Sequence, residues 1–148
     1  MRISAKGRYA LAAMVNMAQQ YGNGECITVI SISDKLGISK IYLEQVFSLL
    51  KRGNVVSSVK GAQGGYMLTR MPGQISVYDV LSAVEGTLFE ATEETVGKKS
   101  PQTDAAMQAL VFSPLDTVVK TALESVSLED LVHEADKHNA DQSLMFFI

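Results

Sequence analysis

The stretch Ser39-Lys40-Ile41-Tyr42-Leu43-Glu44-Gln45-Val46-Phe47-Ser48-Leu49-Leu50-Lys51-Arg52-Gly53 decides the fold. Leu43, Val46, Phe47 and Leu50 fall at i, i+3, i+4 and i+7, so the segment is a helix that buries one apolar stripe, with Ser39 in the capping position. Its other side presents Lys40, Ile41, Glu44, Gln45, Ser48, Lys51 and Arg52, a polar and basic face. Immediately before it, a Thr28 cap opens a short helix to Leu36 that buries Val29, Ile32 and Leu36, and Gly37 supplies a left-handed stop. Two helices joined by a tight glycine turn, the second polar and basic outside, read as a helix-turn-helix.

Outward from this pair, the sequence adds elements on both sides. Towards the N-terminus, Leu11, Met14, Met17, Ala18 and Tyr21 recur at helical spacing, so Ser4 to Tyr21 is a helix with Lys6 and Arg8 at its start and Gly22-Asn23-Gly24 at its end. Towards the C-terminus, the β-branched run Val55 to Val59 and the segment Gly65 to Thr69 flank a glycine-rich tip. A hairpin directly after a recognition helix is a wing. Ser76 and Asp79 form a capping pattern for a fourth helix that buries Val77, Val80, Leu81 and Val84. Residues 87–104 lose periodicity and read as a loop. From 105 to 126 helical register holds on both sides of Pro114, which predicts one kinked helix. Ser127 and Asp130 then open a short final helix burying Leu128, Leu131, Val132 and Ala135, followed by a polar link and an apolar tail. The fold class expected is mainly α with a small β-hairpin wing, organised as a DNA-binding domain at 1–86, a loop at 87–104, and a dimerisation helix with tail at 105–148.

Composition narrows the function. With 148 residues, 47% hydrophobic and 20% charged, the chain builds one folded core and is neither disordered nor collagen-like. Residues 1–71 hold nine Lys/Arg against three acids, whereas residues 72–148 hold four against thirteen. A basic half that meets a polyanion makes double-stranded DNA the first partner to consider. Neither a signal peptide nor a membrane span is expected, and the single cysteine, Cys26, suits a reducing, cytoplasmic setting. No nucleophile and base pair stands out, Gly61, Gly64 and Gly65 are not followed by the Lys-Ser/Thr of a phosphate loop, and His133 and His138 lack the i, i+4 spacing of a helical metal pair. No enzyme activity, metal or cofactor is expected. Cys26 is either a small core residue or an oxidisable thiol.

Lys6, Arg8, Lys40, Lys51 and Lys60 suit phosphate contacts, while Ser39, Ile41, Tyr42, Glu44 and Gln45 are candidates for base edges. Glu44 can accept from a cytosine amino group, Gln45 can pair with adenine, and Ile41 can meet a thymine methyl. Lys60 and Gly61 at the wing tip fit the minor groove, where narrow A·T tracts attract a cation. A stripe of Leu110, Val111, Val118, Val119 and Ala122 exceeds what one wing domain needs and fits a two-fold homodimer. Alternatives are a redox or small-molecule sensor using Cys26 or an interdomain pocket, and a protein-binding adaptor that keeps the fold.

Three blocks in order, Met1 to Ala10, Ile38 to Gln45 and Val59 to Tyr66, resemble the Rrf-type bacterial transcription regulators, the group that includes IscR, NsrR and CymR. The resemblance implies a dimeric winged helix-turn-helix with a long C-terminal helix crossing its partner. The chain departs from the family pattern at Lys60, where arginine is frequent, and at Ile41, where some relatives are polar. Cluster-binding members carry three cysteines in the loop before the dimer helix, and Glu93 to Ser100 contains none. That loop and the ending Met145-Phe146-Phe147-Ile148 are most similar to the CymR branch, which implies a repressor of cysteine and sulfur metabolism with cysteine synthase (O-acetylserine thiol-lyase) as a partner. The tail then either folds back on the dimer core or offers Met145, Phe146, Phe147 and Ile148 to that enzyme. Because iron–sulfur clusters are held by several thiolates, protein purified anaerobically is expected to lack cluster absorbance; stoichiometric iron and sulfide in each chain would overturn this.

Overall fold

A computed structural model describes residues 1–24, 26–61, 64–93 and 96–146, apart from the side chain of Phe146. Helix α1 (Ala5–Gln19) starts where the Ser4 hydroxyl accepts from the Gly7 amide at 3.1 Å. The Glu85 carboxylate accepts from both the Ser4 amide, at 3.1 Å, and the Ser4 hydroxyl, at 2.9 Å, so an acidic group sits at the positive end of the helix. Ala10, Ala13, Met14 and Met17 form its buried face. Tyr21, expected on that face, lies past the end of the helix and is 50% exposed, because the helical period stops at Gln19.

Helices α2 (Val29–Leu36) and α3 (Lys40–Arg52) form the helix-turn-helix. Thr28 caps α2 by accepting from the Ser31 amide at 3.1 Å, and Gly37 ends it in the left-handed region at φ 68°. Across the turn the Ser33 hydroxyl donates to the Ile38 carbonyl at 2.5 Å, which fixes the entry into α3. Ser39 occupies the cap position of α3 but makes no side-chain capping bond, contrary to expectation, since its hydroxyl is not turned to the helix amides. Leu43, Val46, Phe47 and Leu50 are fully buried, as their spacing predicts. Each such side chain contributes about 1.5–3 kcal/mol by leaving water.

Strands β1 (Val56–Val59) and β2 (Gly65–Leu68) pair antiparallel, with Val56 opposite Leu68 and Val59 opposite Gly65. A third segment joins them. The Ile27 amide donates to the Tyr66 carbonyl at 2.9 Å, and the Tyr66 amide donates to the Ile27 carbonyl at 2.8 Å. A Cβ at residue 65 would collide with the Ile27 carbonyl, so glycine is required there by this close backbone approach.

A 3-10 turn at Pro72–Gln74 leads to α4 (Val77–Val84), which opens on the expected capping box: Asp79 N donates to Ser76 Oγ at 3.0 Å and Ser76 N to Asp79 Oδ2 at 2.9 Å. Helix α4 packs on α1 and α3. From Pro101 to Glu124 the chain is one helical run of three parts: α5 (Pro101–Met107), a π turn (Gln108–Phe112) and α6 (Ser113–Glu124). Proline at 114 cannot donate to the Leu110 carbonyl and its ring crowds the preceding turn. The widened π turn just before it absorbs the misfit, with the Ser113 amide donating to the Gln108 carbonyl.

Helix α7 (Leu128–Phe146) is far longer than the short helix expected, and it runs through the polar 138–142 segment. No Gly or Pro interrupts residues 127–148, and His138 pairs with Glu134 one turn back at 3.1 Å. Its cap is the expected one: Ser127 N donates to Asp130 Oδ2 at 2.9 Å and Asp130 N to Ser127 Oγ at 3.0 Å. The Ser127 amide, then its hydroxyl, hold the Asp130 carboxyl below its ordinary value. This cap therefore stabilises the fold above the usual carboxylate range and loses its contribution as pH falls through the lowered value. Leu128 is fully buried in the core of the first helices, so the chain returns to the N-terminal body after α6.

Candidate nucleic-acid interface

Burying Leu43, Val46, Phe47 and Leu50 turns the opposite face of α3 to solvent. Ile41 is 71% exposed, and Ile41, Glu44, Gln45 and Ser48 line one shallow hollow with Leu49. Ser39, Lys40 and Lys51 are exposed at either end of the same helix. Lys40 Nζ lies 3.8 Å from Glu44 Oε1, and both side chains are about half exposed. An exposed i, i+4 pair of this kind is worth only about 0.3–0.5 kcal/mol, so it restrains Glu44 weakly.

Tyr42 is not free to swing. Its ring meets that of Tyr9 on α1 edge to face, with centroids 5.4 Å apart and planes at 87°. Tyr9 is a functional candidate that the sequence did not yield, because the contact joins two helices 33 positions apart in the chain. An aromatic in the first turns of α1 was the only available signal. Next to it, Arg8 donates from Nη1 to the Ile3 carbonyl at 2.9 Å while staying exposed, and Lys6 is partly covered. Arg70 faces elsewhere, paired to Asp79 at 3.3 Å.

At the wing, Lys60 and Gly61 are exposed, and Gly61 has φ 137°, a backbone state that a side chain would strain. Cys26 is partly buried and lies in the segment whose next residue, Ile27, is bonded to β2. Among the five residues of the expected dimer stripe, Val119 is partly covered. Leu110 (79%), Val111, Val118 (64%) and Ala122 are exposed. Met145 is exposed at the end of α7, whereas the Phe146 side chain, Phe147 and Ile148 lie outside the described residues. Among the described residues no group of three His, Cys, Asp or Glu could hold a metal ion, and no helix is long and apolar enough to cross a membrane.

Residues 3–134 match the Rrf2 family, described as an iron-dependent transcriptional regulator. The donors here do not fit a cysteine-ligated iron–sulfur cluster: Cys26 is the only cysteine in the sequence, and one thiolate cannot hold such a cluster. The chain is 38% identical over 149 aligned residues to the transcriptional regulator IscR of Xenorhabdus nematophila, covering 96% of this chain and 89% of that one. It is 34% identical to the transcriptional regulator CymR of Bacillus subtilis over the full length of both. The solved structure of B. subtilis CymR, the global cysteine regulator, superposes with a TM-score of 0.72 at 33% identity, covering 90% of this chain and 98% of that one. A family match over nearly the whole chain, regulators rather than enzymes as relatives, and a shared winged fold converge: this chain belongs to the Rrf2 family of transcriptional regulators.

Proposed function

We propose that the protein is a cytoplasmic, homodimeric repressor of cysteine and sulfur metabolism genes that reads duplex DNA with α3 and the wing and works without an iron–sulfur cluster. The observation that carries the DNA-reading role is the outer face of α3, where Ile41, Glu44, Gln45 and Ser48 form one exposed surface on a rigidly packed helix. Residues 1–86 serve as the reading head in this account. The cysteine assignment draws support from the full-length similarity to CymR and from a 93–100 segment without cysteine.

Base contacts and phosphate contacts separate by mutation. Glu44→Ala and Gln45→Ala should each change sequence preference at a cost of about 1–3 kcal/mol, whereas Lys51→Ala should weaken all duplexes alike and flatten the salt dependence. Fluorescence anisotropy on an operator and its single-base variants measures both. Unaltered preference in both Glu44→Ala and Gln45→Ala would remove α3 as the reading element.

Homodimerisation rests on α5 and α6. Val111, Val118 and Ala122 fall at i, i+7 and i+11 and, with Leu110, are all exposed, so a single chain leaves an apolar stripe in water. Two reading heads joined there would meet two half-sites of a palindrome. Val118→Glu should give a monomer in sedimentation velocity and lose specific operator binding. A dimer of unchanged mass would place the interface elsewhere.

Cysteine synthase is the proposed protein partner, docking on the C-terminal residues. Leu144 and Met145 are exposed on the last turn of α7, where the chain's own core does not use them. Deleting residues 145–148 should leave the melting temperature within about 2 °C, a shift that corresponds to about 0.5–1 kcal/mol for a chain of this length, and abolish binding to the enzyme in calorimetry. Full affinity in the truncated protein would reject tail docking.

A further inference from the structure

A cleft of about 280 Å3 lies between α4, the 88–91 segment and α6, away from the recognition face. Tyr78, Phe89, Leu115 and Val119 give it apolar walls. The Tyr78 and Phe89 rings meet edge to face with centroids 5.0 Å apart, which stiffens one side. Two groups of opposite charge, Asp116 and Lys120, line the same cleft one helical turn apart. Lys120 Nζ stands 5.3 Å from the centre of the Tyr78 ring, so its ammonium is held against the aromatic wall. Its other interaction, with Glu124 at 3.8 Å, is an exposed surface pair and leaves donors to spare. Asp116 makes no ion pair among the described residues.

A mostly apolar cleft with a few placed polar groups is the form of a small-molecule site. Here the polar groups are one cation and one anion side by side. A simple organic acid would meet repulsion from Asp116, and a simple amine would meet repulsion from Lys120. A molecule with both charges at one end and an apolar body at the other satisfies every wall. We infer that this cleft binds a free α-amino acid with an apolar side chain, its carboxylate on Lys120, its ammonium on Asp116 and its side chain against Tyr78, Phe89, Leu115 and Val119. The occupant bridges α4, which packs on α3, to α6, which carries the exposed stripe. Binding therefore alters how firmly the reading head is held on the dimer helix, a consequence that rests on the DNA-reading function proposed above.

Calorimetric titration of the full-length protein with L-phenylalanine, without DNA, tests the site. Saturable binding is expected, with 3-phenylpropanoate and phenethylamine, which each lack one charge, weaker by at least about tenfold. Asp116→Asn and Lys120→Gln should each weaken L-phenylalanine by about tenfold at unchanged melting temperature, since both side chains are exposed. No saturable binding of L-phenylalanine or L-leucine up to about 10 mM, equal affinity for 3-phenylpropanoate, or undiminished binding in both variants would each overturn the assignment. Operator affinity is measured separately with and without saturating L-phenylalanine. A change of about fivefold or more is expected, and binding with no change would refute the coupling while leaving the DNA-reading role untouched. Conversely, failure to bind any operator would leave the amino-acid titration standing.

Discussion

Two backbone hydrogen bonds and one side chain hold the molecule together across its length. The Val77 amide donates to the Val126 carbonyl at 2.8 Å, the Leu128 amide donates to the Ile75 carbonyl at 2.9 Å, and Leu128 between them is fully buried in the N-terminal core. Without this clasp, the helical run from 101 to 124 would rest on the head through α6 against α4, with its far end untied. With it, the far end of that run is anchored as well, by the burial of Leu128. The exposed stripe on α6 thereby acquires a fixed place relative to α3, which a regulator needs if two copies are to address DNA with a defined separation.

The head itself is organised around α4. Its buried Val80, Leu81 and Val84 meet α1 and α3, and the residue after it, Glu85, closes the N-terminus of α1. A helix of eight residues is too short to be stable alone. It persists because the Ser76–Asp79 capping box satisfies its first amides and because three other elements cover its apolar side. The outward face of α3 is thus supported from behind, in part, by a single short helix.

What the sequence made legible was local and periodic. The stripe of α3, the Thr28, Ser76 and Ser127 caps, and the Gly37 stop are each decided within four residues, and all but one of the caps stand as read. Ser39 is the exception, since cap position and cap hydrogen bond are separable. Non-local features were not legible: the Ile27–Tyr66 ladder joins segments 39 positions apart, and the Tyr9–Tyr42 contact joins two helices. Helix α7 was underestimated for a different reason. Beyond about residue 136 none of its described residues is buried, so it carries no apolar period to reveal it, and its continuation depends on helix propensity and the absence of breakers. The π turn escaped notice because Pro114 predicts a disturbance without predicting its form. On the outer face of α3 the residue types were legible, whereas the restraint on Tyr42 was not.

The bond pair between Ile27 and Tyr66 gives the wing a fulcrum. Tyr66 pairs with Ser58, and Gly61 lies three residues beyond Ser58, so at about 3.3 Å per residue it stands at most roughly 10 Å from the pivot. A rigid arm of that reach, rotated by about 10°, displaces its end by roughly 2 Å, enough to break a hydrogen bond. Whatever tilts the short segment from Gly22 to Ile27, which includes Cys26, is therefore magnified at the far end of the hairpin. The absence of a side chain at Gly65 is what lets the pivot sit so close, and it makes the wing an arm with mechanical advantage rather than a passive flap.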